Sequence, residues 1–232
     1  MLKKDHKNIF YCFTPLVSLA TFIVEFIFAV YTLIKYRKTE FGRVSIFVLL
    51  ALASFQLPEY LLCQSNQSAY RNVLIQIGFI GTAFLPPLGL HLVNLLNDKK
   101  YTKLVSFGYI FASFTTILIL ASKAGDFVHA CTGKYVKFGL GSLAEKFYSG
   151  TYLIFITSAI VILLYYILKN KNLALNMWML VTFLVFLIPA YVLYFFSFYP
   201  SDGLPSVMCG FAIFAALILL LKILPKYHNQ IK

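Results

Sequence analysis

Among the polar residues inside the apolar runs of this chain, two carboxylates, one histidine and two glutamines are its best candidates for chemistry. Glu25 lies about fifteen residues into the run 10–34, and His91 about five residues from the inner end of the run 72–96. Ionisable groups at that depth are expensive and usually face the interior of a helix bundle, where they pair or pass protons. A Glu25–His91 pair could relay a proton or hold a two-state bundle; the simpler alternative is a structural hydrogen bond. Glu59 follows Pro58 near the outer end of the run 44–63. Proline removes one helical hydrogen bond and frees the carbonyl four residues back, that of Ser54. The stretch Gln56, Leu57, Pro58, Glu59, Tyr60 thus gathers polar atoms near the outer surface, and Gln76 stands at a similar depth on the next run. Glu59, Gln76, Gln56 and Tyr60 are therefore candidates to line a ligand pocket. The alternative is an interfacial carboxylate that reaches water, with Tyr60 in the aromatic belt.

Counting argues against several enzymes. An intramembrane metal hydrolase needs several His or Asp ligands, and of His6, His91, His129 and His228 only His91 lies within a run. A retinal protein needs a lysine midway along its last helix, whereas Lys222 stands at the inner end. No enzyme, cofactor or metal centre is expected.

The elements that must position these residues are the runs themselves. Hydrophobic residues make up 60% of the 232 and charged residues 12%, against about 25% charge in soluble domains. Seven runs, at about 10–34, 44–63, 72–96, 104–121, 151–168, 178–199 and 206–224, approach the length needed to span a bilayer. Helix is expected, because a helix satisfies its own backbone in lipid. Phe47 to Ala53 reads FVLLALA with none of the alternation of a barrel strand. The expected fold is all-α, a seven-helix transmembrane bundle forming one domain over 1–232.

The net charge of +12 is mostly an orientation signal. With the N-terminus outside, twelve of the twenty Lys and Arg fall on the cytoplasmic side, and four of the remaining eight lie in the long 122–150 loop. The positive-inside rule then favours an outer N-terminus and a cytoplasmic C-terminus. The expected location is the cell membrane, with lipid as a partner and no nucleic acid. The four cysteines, Cys12, Cys63, Cys131 and Cys209, all fall near the outer face, on the oxidising side. Three pairings are open to them. Cys63–Cys131 is the most reachable, and small apolar packing residues are the equal alternative.

The segment 122–150 is long for a compact protein, and such loops are often functional. Five glycines punctuate it, and Tyr135-Val136-Lys137-Phe138 alternates like a short strand. A small hairpin or lid over the outer mouth is expected, against an ordinary ordered loop. Pro86 and Pro87 interrupt the third run, and Pro189 the sixth, as candidate hinges.

In order, these landmarks resemble the N-terminal seven-helix sensor region of bacterial membrane histidine kinases and diguanylate cyclases. The basic first inner loop is matched by Lys35 to Arg43, and the carboxylate near the outer end of span two by Glu59. The "…G…PP…" third span is matched by Ile77-Gly78-Phe79-Ile80-Gly81 through Leu85-Pro86-Pro87-Leu88. The long outer loop and the last span, from Leu204-Pro205 to Lys222, complete the match. Where that family often carries a Tyr-Thr pair at the end of span three, this chain has Val93-Asn94-Leu95-Leu96. The resemblance implies a receptor or sensor for a small, partly apolar extracytoplasmic ligand. Only a short tail follows the last run, so the signal is expected to pass to a separate kinase, cyclase or other signalling protein. The alternatives are a small proton-coupled transporter or exporter using Glu25 and His91, and a structural membrane subunit.

Overall fold

The computed structural model describes residues 15–64, 68–122, 128–131, 136–140, 142–195 and 204–231. The described elements are α1 (Pro15–Tyr36), α2 (Glu40–Gln64), α3 (Ser68–Ala83), α4 (Leu85–Leu96), α5 (Thr102–Ala121), β1 (Val128–Cys131), β2 (Val136–Gly139), α6 (Ser142–Leu168), α7 (Leu173–Phe195), α8 (Leu204–Ile218), a π-helical turn (Leu219–Ile223) and α9 (Leu224–Ile231).

Among the described residues six helical segments are long and apolar enough to cross a membrane, which marks the chain as a multi-pass helical membrane protein. They are Leu16–Tyr36, Glu40–Gln64, Tyr70–Leu96, Thr102–Ala121, Leu143–Leu168 and Gly210–Gln230. The sixth expected run lies in α7, whose apolar described stretch, Leu173–Pro189, is shorter.

Helix α1 shows how such a bundle inverts the usual pattern. Its buried face reads Ser18, Thr21, Glu25, Ala29, Thr32, Tyr36, at helical spacing, while Leu16, Ile23, Ile27 and Ile34 are exposed. The small and polar residues face protein because the surroundings already favour the large apolar ones; close packing of small residues is what lets membrane helices associate. Thr21 and Thr32 donate back to the carbonyls of Val17 and Phe28, at 2.9 and 2.7 Å.

One apolar cluster fills the half of the bundle nearer the α1–α2 and α4–α5 loops, around Phe41, Leu90, Val93, Phe155, Leu163 and Ile223. A second, around Phe55, Ile75, Phe79 and Ile119, fills the opposite half. Gly81 sits where α2 and α3 meet: a Cβ there would lie 1.7 Å from Ser54 Oγ. Gly108 allows α5 against α4, where a Cβ would meet Pro87 at 3.0 Å.

The segment between α5 and α6 holds an antiparallel strand pair, with Val128 opposite Gly139 and Cys131 opposite Val136. Helix α6 begins at Ser142, nine residues before the expected start at 151. The extra turns carry an acidic residue, Glu145, in the first turn and bury Ala144. Negative charge at a helix N-terminus complements its dipole. Polarity shortened the expected span, but an apolar stripe continues the helix beyond it.

Candidate functional site

The two consecutive prolines break the third span in two. Helix α3 ends at Ala83 and α4 begins at Leu85, with the prolines in its first turn, where their missing N–H groups are tolerated. Pro86 leaves the Thr82 carbonyl without its helical donor. The Tyr152 hydroxyl of α6 fills that place, donating to Thr82 O at 2.9 Å. One turn earlier, Tyr148 donates to Thr82 Oγ1 at 3.0 Å, and that hydroxyl donates to Gly78 O at 3.0 Å. Two tyrosines of α6 thus hold the break from one side. The single prolines behave otherwise: α2 runs through Pro58 and α7 through Pro189. Of the three expected hinge residues, Pro86 and Pro87 stand where two helices meet, and Pro189 stands within a continuous helix.

Beside the break lies a half-open cavity of about 80 Å³. Leu85, Gly89 and Leu92 of α4 face it, opposite Phe183 of α7 and Ala215 of α8. Its wall is apolar except for Tyr152, the residue that holds the Thr82 carbonyl, and Thr182. Thr182 donates back to Trp178 O at 2.9 Å. The cavity floor includes Leu219, the first residue of the π turn. There the Leu224 N–H bonds back to Leu219 O, one residue further than in an α-helix. Pro225, which has no N–H for the carbonyl four residues earlier, follows directly.

The residues singled out from sequence are distributed differently from expectation. Glu59 and Gln56 are each 1% exposed, so the interfacial, water-reaching alternative for Glu59 is set aside. Both have further partners, as does Cys63. Tyr60 is half-buried. Gln76 is engaged elsewhere: its Nε2 donates to Ile119 O at 3.2 Å, near the C-terminal end of α5. That carbonyl also accepts the Ser122 N–H at 3.3 Å, so Gln76 adds a second donor to it and ties α3 to the end of α5. Glu59 and Gln76 line neither of the two cavities described, that above and the groove described below. Cys63 forms a disulfide. The expected partner Cys131 ends β1, and its side chain lies outside the described residues, as do those of Cys12 and Cys209.

The expected Glu25–His91 pair does not form. His91 Nδ1 shares a hydrogen bond of 3.0 Å with the Tyr109 hydroxyl, and its Nε2 lies 3.8 Å from Glu40. Glu25 is fully buried, and neither carboxyl oxygen has a hydrogen-bond partner among the described residues. Ala29 packs with Leu49 of α2 and Ala216 of α8. Counting from that contact along the antiparallel pair, at about 1.5 Å per residue, Glu25, Thr21 and Ser18 reach the levels of Ala53, Leu57 and Tyr60. Glu25 therefore lies with Ser18, Thr21 and Thr32 on the buried face of α1. The depth of a residue along its own run does not say which neighbour it faces.

No family model matches the chain, and no curated protein does. Among the described residues no three His, Cys, Asp or Glu side chains gather to hold a metal ion.

Sequence reasoning missed a network at the loop end of α4. Asn97 and Asn176, both fully buried, exchange amide hydrogen bonds at 3.1 and 3.2 Å. Asn97 also donates to Val93 O, and Asn176 to Lys171 O. Asn172 donates to Leu96 O at 3.0 Å, and Asn94 accepts from the Tyr101 N–H at 2.7 Å. Asp98, Lys99, Asn170 and Asn172 have positive φ, with values from 46 to 58°. Asn and Asp tolerate that conformation best among residues with side chains. Lys171 pairs with Asp98 across the two loops. The clue was in the sequence, five asparagines in and beside two short loops, but their turn chemistry reads as solvated polarity.

Proposed function

We propose that the chain is a seven-span membrane sensor module, N-terminus outside and C-terminus cytoplasmic, that binds a small, partly apolar ligand and signals to a separate protein. The observation that carries the reading is the sharing of Tyr152 between the cavity wall and the helix break: it lines the 80 Å³ cavity and holds Thr82 O at 2.9 Å. A ligand in the cavity meets the side chain that fixes the break. It shifts the bundle by as much as its affinity differs between the two arrangements. An apolar wall with one or two hydroxyls suits a small molecule of mixed character. The site of binding thus moves from Glu59 and Gln76 to the cavity around Tyr152.

The test uses 1-hexanol as probe, on protein in lipid nanodiscs, with amide hydrogen exchange read over Phe84–Leu92. Saturable protection in the wild type, abolished by Ala215→Leu, supports the reading. Exchange unchanged by the alcohol in the wild type refutes it.

One observation favours a second reading, a proton-coupled carrier: the buried Glu25 carboxyl with no described partner. Intramembrane carboxyls often mark proton paths. In that case Glu25→Gln abolishes proton flux into proteoliposomes, and His91→Gln, which alters a contact elsewhere, leaves it intact.

A further inference from the structure

The broken helix has a second hollow on its other side. Around Phe84, α4 presents Leu85, Gly89 and Leu92 to the half-open cavity and Phe84 and Leu88 to an open groove of about 470 Å³. Phe47, Leu50, Ala51 and Ser54 of α2 form one wall, and Tyr109 of α5 stands opposite. The groove exists because its floor is built from small residues at the break, with Ser54 against the side-chain-free Gly81. Phe47 is 61% exposed and Leu50 39%, so the groove opens on the surface that faces hydrocarbon in a membrane.

Its end toward the α1–α2 loop is charged. Arg43 is exposed, one helical turn before Phe47. His91 lies one turn beyond Leu88 and bonds Tyr109, the residue on the opposite wall. Lys99 pairs with Glu40, and Glu40 feels the charges of Lys99, His91 and Arg43 together. Glu40 is thus the one acidic side chain recorded in this cluster, against two fixed cations and a histidine. The cluster has an excess of positive charge at the level where a lipid headgroup sits.

We infer that this groove binds an anionic phospholipid, with an acyl chain along Phe47, Leu50 and Leu88 and the phosphate against Arg43 and His91. The inference is independent of the cavity reading, because it concerns the opposite face of α4. A zwitterionic lipid offers the same chain but no net charge to complement Arg43. Juxtamembrane basic residues favour anionic lipid by about five-fold each near the surface.

Native mass spectrometry of detergent-purified protein tests the inference, with phosphatidylglycerol and phosphatidylcholine of identical chains as probes. The wild type is expected to retain phosphatidylglycerol about five-fold better or more. Arg43→Gln is expected to remove that preference while still retaining either lipid. Leu50→Trp, which fills the groove from an exposed position, is expected to lower retention of both. Excess glycerol 3-phosphate should not displace the lipid, because a free phosphate lacks the chain. Equal retention of the two lipids by the wild type overturns the inference, as does a preference unchanged in Arg43→Gln or undiminished binding in Leu50→Trp. Displacement by glycerol 3-phosphate would reassign the cluster to a soluble anion and overturn it too. Both substituted positions are exposed, and circular dichroism of each variant confirms that the helical fold is retained.

Discussion

Asn97 and Asn176 bear on stability more directly than any residue singled out from sequence. Each is fully buried, and each satisfies the other's amide. Asn176→Ala leaves Asn97 and the Lys171 carbonyl short of a partner. Leaving a buried polar group unsatisfied costs about 1–3 kcal/mol. Denaturant unfolding in detergent should register that loss; an unchanged midpoint would mean water replaces the amide. Glu25 presents the opposite case. Its carboxyl is buried with no hydrogen-bond partner among the described residues, and burying a polar group without one is costly. Glu25→Leu should raise stability by about 1–3 kcal/mol, read in the same unfolding assay. Residue type and depth were legible for Glu25 and Glu59, since both stand inside apolar runs. Partner choice was not: His91 turned to Tyr109 and Glu40, and Gln76 to the end of α5. Such choices depend on helix rotation, which the sequence of one run does not specify.

At the scale of elements, the α3–α4 break was readable, because two adjacent prolines cannot sit mid-helix without freeing two carbonyls. Its support was not, since Tyr148 and Tyr152 come from a helix about seventy positions away. That support can be measured as a coupling. Tyr152→Phe should cost about 0.6 kcal/mol and roughly 1.7 at most, the range for hydrogen bonds within membranes. In a Pro86→Ala background the restored N–H of residue 86 can serve Thr82 O, so the same tyrosine substitution should cost less. Additive losses in this double-mutant cycle would mean that Tyr152 does not stand in for the missing helical bond. The asparagine network, for its part, ties α4 to the α6–α7 loop and the first turn of α7. These segments should therefore move together relative to α1 and α2.

For the whole molecule, composition and the unalternating apolar runs made a helical membrane protein evident, because 60% hydrophobic residues and 12% charge leave too little polar surface to cover a soluble fold. The strand pair between α5 and α6 was legible in part from the alternation at Tyr135 to Phe138, and β2 runs over Val136–Gly139. The early start of α6 and the π turn were not, since both depend on packing against neighbours. Two hollows flank one broken helix, a half-open cavity on one face and a lipid-facing groove on the other. The central claim is that filling the cavity moves the break and carries α4 and the α6–α7 loop with it. Spin labels at Lys100→Cys and Lys38→Cys report that motion as a distance between the α4–α5 and α1–α2 loops, while Lys100→Cys with Lys169→Cys serves as the internal reference. 1-Hexanol is expected to shift the first distance distribution and leave the second unchanged in the wild type, and to shift neither in Ala215→Leu. A first distance that stays fixed at saturating alcohol, or that shifts equally in Ala215→Leu, would contradict it.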